Sequence, residues 1–324
     1  MRAPIGFVLL TYLEPGQILR LVTRLRDLYG PGTPIAINHK LDQCPLDAEQ
    51  FPPDIRWVRP HITTGWGVWP TVEATLEGLR LLHAAEEGPD FSVLLSGTDY
   101  PIARPERVLG ELRSVGADAY IDARPVEPWR RSRTSGGPLG LGVNEGTDNQ
   151  KVCYRRYYSS TFRPLGIRVR VRSPLLAPLL SPFSSRYRCW AGEHWWTLGR
   201  RAVEHLLRQH QERPDVVRWF AARHVPEEAY VHTVTCNAPG LRVEHRAFRY
   251  VDWTSRAPSP RTLGEADLPR LLSSGAHFAR KFAPDAPVLD AVDRALGLPP
   301  WRGGRASMPA AARSAAAPAV TIRS

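Results

Sequence analysis

The sequence predicts an α/β fold, a doubly wound, mostly parallel sheet, on three observations. Short apolar runs that suit buried strands alternate with longer stretches whose apolar residues recur every three or four positions. Residues 91–102, FSVLLSGTDYPI, are largely apolar and then turn abruptly polar at Ser96, Gly97, Thr98 and Asp99, as a buried strand does when it ends in a tight loop. Of the 324 residues, 43% are hydrophobic, ample for a large core in one domain or two.

Taken in order, residues 5–10 read as the first strand and 11–16 as a polar loop. Residues 17–29 carry a helical stripe of Ile18, Leu19, Leu21, Val22, Leu25 and Leu28. Residues 34–38 and 55–58 are the second and third strands, and 71–85 form a helix with Val72, Leu76, Leu79 and Leu82 inward. The strand ending at Ser96, a helix over 105–115 and a strand over 117–122 complete the alternation that makes a parallel sheet. From 123 to 182 the prolines and glycines (Pro125, Pro128, Gly136, Gly137, Gly140, Gly142) predict a long loop or insertion, with a basic-aromatic knot YRRYY at 154–158. Helices follow to residue 209 and over 214–222, 224–236, 267–273 and 287–296, with a strand over 248–253. One domain is expected over 1–301, and a disordered tail over 302–324, where no periodicity survives.

The net charge of +11 is carried almost wholly by arginine, since only Lys40, Lys151 and Lys281 are lysines. Such a balance suits an anionic partner. The charge is scattered and no nucleic-acid-binding motif is present, so a phosphorylated small molecule is expected rather than nucleic acid. No run of 18 apolar residues occurs, and Glu14-Pro15 interrupts the first apolar run; a strand is expected there rather than a signal peptide. Four scattered cysteines (Cys44, Cys153, Cys189, Cys236) without a CxxC pair point to reduced thiols and a cytoplasmic protein, soluble or peripheral to a membrane.

Several chemistries are excluded. The chain has no GxxxxGK[ST], no GxGxxG after the first strand, no HExxH and no GxSxG. No two aspartates stand two apart, so a diphosphate has to be met by protein cations. Arg280 and Lys281 in HFARKF are the candidates, with Phe278 and Phe282 to hold them by packing; the competing reading is a solvated pair on a helix end. Asp99 lies on the loop where α/β sheets bind ligands, or only caps the helix after it. Glu227 and Glu228 open a helix, where carboxylates also sit for the macrodipole alone; functionally, Glu228 would face the cleft as a base and Glu227 point outward. Trp195-Trp196 read as a core pair or a sugar platform, one in and one out. Trp66-Gly67 read as a tight turn whose tryptophan walls a base pocket or packs.

In their order, Trp66-Gly67, LLSGTDYPI at 94–102, WAGEHWWTLGRRAV at 190–203, VPEEAYVHTV at 225–234 and FRYVDW…HFARKF over 248–282 resemble the core-2/I-branching β-1,6-N-acetylglucosaminyltransferase family, which includes the peptide O-xylosyltransferases. The likeness runs from about residue 4 to residue 290. It implies a GT-A-like fold, a UDP-sugar donor, inversion at the anomeric carbon, no metal and no other cofactor. The family's basic pair lands on Lys281 and on Arg249, with Arg280 beside them. Its base lands on Glu228 in the branching enzymes and on Asp99 in the xylosyltransferase branch, and both stay open. The sequence departs from the family where Gly192-Glu193-His194 replaces a Gly-Ser, in Asn38-His39-Lys40-Leu41-Asp42 after the second strand, and in lacking the animal enzymes' cysteines and membrane anchor; a bacterial relative is expected.

The expected function is therefore transfer of N-acetylglucosamine from UDP to an acceptor hydroxyl on a carbohydrate, a lipid-linked or a small molecule. Thr11, Trp66, Gly67, Arg249, Arg280 and Lys281 would hold UDP; Arg155, Arg156, Trp195 and Trp196 would line the acceptor side. The alternatives are a UDP-xylose-dependent enzyme and a non-catalytic module that binds an anionic glycan.

Overall fold

A computed structural model describes residues 2–84, 88–127, 147–158, 160–162, 169–171, 181–255 and 259–303. The chain begins β1 (Ile5–Thr11), α1 (Pro15–Tyr29), β2 (Ile35–His39), β3 (Arg56–Trp57), α2 (Trp69–His83), β4 (Phe91–Ser96), β5 (Asp99–Pro101), α3 (Pro105–Val115) and β6 (Ala119–Ile121). It continues β7 (Arg124–Pro125), α4 (Thr147–Tyr158), β8 (Ser160–Phe162), β9 (Val169–Val171), β10 (Trp190–Ala191), β11 (Trp196–Gly199), α5 (Arg200–Glu212) and α6 (Pro214–Ala221). Last come α7 (Tyr230–Cys236), β12 (Val243–Glu244), β13 (Arg249–Val251), α8 (Leu268–Ser273), β14 (Phe278–Arg280) and α9 (Pro287–Leu296).

The main sheet has the order β12-β6-β11-β4-β1-β2-β3. β1 pairs in parallel with both β2 and β4, and only β11 runs against its neighbours. All seven residues of β1 are buried, which is why its sequence is a continuous apolar run rather than an alternating one. Ile5, Phe7 and Leu9 point into one layer, with α1, α3 and α9. Val8 and Leu10 point into the other, with α2, α5, α6 and α7. Each such leucine or valine contributes roughly 1.5–3 kcal/mol on burial, so the period-two alternation dictates that helices cover both faces. The doubly wound, GT-A-like α/β expectation is met. The strand order reverses between β1 and β4, and the crevice at their carboxyl ends is where such sheets take ligands.

Several boundaries follow from simple signals. α1, α2, α3, α6, α8 and α9 each open with proline in the first turn, where its missing N–H costs nothing. Other expectations are corrected. Part of the supposed 123–182 loop is helical: α4 carries the YRRYY segment, whose tyrosines Tyr154 and Tyr157 are buried. The long helix expected over 224–236 is broken. Val225 takes φ 58°, the chain makes a 3-10 turn over Pro226–Glu228, and only then does α7 start. Within HFARKF, Phe278–Arg280 form a strand, β14, and Lys281 follows it directly, so the pair is not on a helix end. From residue 304 onward the expected tail lies outside the described residues.

Candidate active site

A small second sheet, β13-β14-β5, stands beyond the carboxyl end of β4. Its register sets Arg280 opposite Asp99 and Arg249 opposite Phe278. Phe278 and Phe282 are buried on either side of the Arg280-Lys281 pair, as the packing argument expected. Arg249 is buried. Its Nη1 donates to Asp99 Oδ1 at 3.1 Å and its Nη2 to the Leu94 carbonyl at 2.9 Å. Burial pulls the Arg249 guanidinium down to about 10, against the Asp99 charge that raises it.

Asp99 has no exposed surface. Its Oδ2 accepts from the Ser96 N–H at 2.6 Å and from the Ser96 hydroxyl, and its Oδ1 accepts from Arg249. An acceptor hydroxyl cannot reach it. The carboxylate that the xylosyltransferase branch would make a base is here the counter-ion that fixes Arg249 under the site.

Arg280 and Lys281 are the accessible cations of this group. The Arg280 guanidinium lies 4.1 Å over the Trp195 ring, and its Nε stands 3.9 Å from Asp99. The Lys281 ammonium donates to Ser259 Oγ at 2.6 Å. Trp195 is buried beneath Arg280 and Arg249, 5.5 Å from the latter. Trp196 is fully buried, and both indoles belong to the core layer that also holds Val8 and Leu10. Neither indole is an open sugar platform: Trp195, just before β11, and Trp196, its first residue, are both buried, so the one-in, one-out expectation fails.

The other carboxylate is placed differently. The side chain of Glu228 is about one-third exposed, and Arg156 Nη1 donates to its Oε2 at 3.1 Å. Burial among neighbours pushes Glu228 up to about 7; the Arg156 charge opposes this, and Glu227 and Glu193 add to it. Arg156 is held there by α4, whose Tyr157 hydroxyl donates to the Val225 carbonyl at 2.8 Å, while Trp219 Nε1 donates to the Tyr157 carbonyl at 3.0 Å. The turn itself is pinned by Glu227. Contrary to expectation Glu227 is buried, and its Oε1 accepts from the Gly67 N–H at 2.7 Å. Gly67 has φ 76°, and a Cβ there would lie 2.6 Å from the His224 ring, so the tight turn admits only glycine. Trp66 is 71% exposed and meets His224 edge to face at 4.9 Å.

Glu193 joins the two halves and escaped the sequence reading, apart from its being a departure from Gly-Ser. The Gly192 N–H donates to the Glu228 carbonyl at 2.9 Å. A Cβ on Gly192 would fall 1.7 Å from the Asp122 carbonyl oxygen, so backbone crosses backbone here. Glu193 Oε1 accepts from Trp253 Nε1 at 3.0 Å, and its carbonyl is bonded to His232 Nε2 at 2.8 Å. Burial raises its carboxyl; Trp253 lowers it, Asp122 raises it, and the Arg280 and Arg249 charges lower it.

Thr11 ends β1 but is buried, its hydroxyl within 2.9 Å of His39 Nδ1. It supports the crevice floor rather than lining an open pocket. Arg155 is exposed on α4, next to Arg156, which is the residue that bonds Glu228. Among the described residues no three His, Cys, Asp or Glu side chains gather as metal ligands would, and no helix is long and apolar enough to cross a membrane.

The sequence model of the family described as Core-2/I-Branching enzyme matches residues 52–272, well over half of the chain. Two curated Arabidopsis thaliana proteins, Beta-glucuronosyltransferase GlcAT14A and Beta-glucuronosyltransferase GlcAT14B, are each similar at 26% identity over 229 residues. The match takes in 66% of this chain and 46% and 47% of theirs; the chain spans about half the length of these relatives. Among solved structures, the apo structure of the WbbM bifunctional glycosyltransferase is similar at a TM-score of 0.36 and 9% identity, over 87% of this chain and 46% of that one.

Proposed function

The chain belongs to the Core-2/I-Branching enzyme family, and from that premise we propose that it is an inverting, metal-independent glycosyltransferase with Glu228 as general base. The donor is a UDP-sugar, with N-acetylglucosamine taken first. One observation carries the reading: a carboxylate raised to about 7 and one-third exposed stands beside Arg156, while Arg280, the last residue of β14, and Lys281 directly after it are only partly buried.

The diphosphate lies against Arg280 and Lys281, a fork and a point charge. An acceptor hydroxyl approaches the anomeric carbon from the face opposite UDP. Its oxygen forms the new C–O bond as the bond to the diphosphate oxygen breaks, and Glu228 takes its proton. The cations stabilise the negative charge that UDP carries away. A base titrating near neutrality holds enough deprotonated form at neutral pH and still takes a proton readily.

Glu228→Gln keeps the size and removes the base. UDP still raises the melting temperature of this variant in the presence of EDTA, and transfer falls by about 10²–10⁴-fold. Full turnover by Glu228→Gln refutes the base assignment; a UDP response abolished by EDTA refutes metal independence. A second reading, transfer of glucuronate, is favoured by the names of the two plant relatives, which are beta-glucuronosyltransferases. A donor screen of UDP-N-acetylglucosamine, UDP-glucose, UDP-xylose and UDP-glucuronate separates these readings.

A further inference from the structure

Resting on that reading of the site, we propose that Glu193 reads the donor sugar, and that its carboxylate admits an uncharged sugar and turns away a uronic acid. The placement is geometric. A sugar whose diphosphate meets Arg280 and Lys281, and whose anomeric carbon comes within reach of Glu228, spans the ground between those groups. Glu193 stands on that ground. The residue before it is bonded to the Glu228 backbone at 2.9 Å, and the residue two after it, Trp195, lies 4.1 Å under Arg280.

The side chain is also committed and oriented. Oε1 accepts from Trp253 Nε1 at 3.0 Å, which leaves Oε2 without a hydrogen bond among the described residues. The residue is only partly buried, so Oε2 is open to accept from a sugar hydroxyl, a charge-assisted bond. A uronate offers a second carboxylate in place of a hydroxymethyl group. It could be accepted only with a spare cation. Arg249 is bonded to Asp99 and the Leu94 carbonyl, and Arg156 is bonded to Glu228. Arg280 and Lys281 face the diphosphate. Among these described cations a uronate carboxylate would find no spare partner at Glu193, and like charges brought together in a partly desolvated site discriminate strongly.

UDP-glucose and UDP-glucuronate differ only at C6 and make the matched probes. Calorimetric titration of the full chain is expected to give a Kd for UDP-glucuronate about tenfold or more above that for UDP-glucose. Glu193→Gln keeps the shape and the Trp253 acceptor, and brings the ratio to within about twofold. Taking the ratio cancels any general gain in nucleotide affinity from the lost charge. The wild-type ratio also narrows as salt is raised, a readout that needs no variant. Equal or tighter binding of UDP-glucuronate by the wild type overturns the proposal, as does a ratio unmoved by Glu193→Gln and by salt. UDP itself is the reference: if the wild type does not bind UDP, the parent reading falls, whereas UDP binding with an indifferent ratio sinks the role of Glu193 alone.

Discussion

If Glu228 is the base proposed above, Arg156 sets its working pH, and Arg156→Gln measures by how much. The guanidinium donates to Glu228 Oε2 at 3.1 Å, which puts the two charges roughly 4 Å apart. At that distance the attraction is about 1 kcal/mol in water and about 4 kcal/mol at the effective dielectric of a protein surface. With about a third of the Glu228 side chain exposed and screened, the lower part of that range applies. One pH unit corresponds to about 1.4 kcal/mol, so losing Arg156 moves the acidic limb up by about one pH unit. In the wild type, kcat/KM for a UDP-sugar rises with pH through about 7, as the raised carboxyl loses its proton. In Arg156→Gln the same limb lies near pH 8, and the rate at high pH recovers toward wild type. A limb that stays put, or moves down, refutes the coupling. A uniform loss at every pH shows instead that Arg156 acts on the acceptor and not through Glu228.

Other outcomes follow from the same geometry. Lys281→Ala removes one of the two accessible cations and weakens UDP binding by about 1.5–3 kcal/mol, roughly 10- to 150-fold in Kd by calorimetry; unchanged affinity refutes its phosphate role. Asp99→Ala leaves Arg249 charged and buried without its partner, and chemical denaturation should show a loss of about 3–5 kcal/mol. If Asp99→Ala is instead stable and inactive, the aspartate is chemical rather than structural. Stability also depends on pH through Glu228. Its carboxyl keeps the proton up to about 7 when folded, against 4.5 as its ordinary value. Folding therefore takes up a proton between these values, and this contribution, full below 4.5, fades as pH rises to 7. Glu228→Gln lacks that dependence, so its stability relative to wild type rises across this window in pH-dependent thermal melts.

The double winding was legible because β1 and β4 are buried on both faces, and only near-continuous apolar runs survive there. The stripes of α1, α3 and α9 were legible for the complementary reason, that each buries one face alone. The cation pair and Glu228 were legible as motifs. The broken helix at Val225 was not, because a β-branched residue at φ 58° follows no local preference; it is held by the Gly67 carbonyl, which accepts from the Val225 N–H at 3.0 Å across 158 positions of sequence. α4 was not legible because its surroundings are rich in glycine and proline.

By itself the sequence determined the alternation of strands and helices up to β6, the double winding and the short list of residues able to do the chemistry, since these depend on period, composition and side-chain type. Only the tertiary structure sets the surroundings of Asp99 apart from those of Glu228. Asp99 opens the short strand β5 and Glu228 closes a 3-10 turn, and what separates them is the company that distant segments bring. β13 delivers Arg249 to seal Asp99 out of solvent, while α4 delivers Arg156 to a Glu228 left partly open. Electrostatic environment is a property of space rather than of sequence order, so a carboxylate's role is assigned by its neighbours after folding.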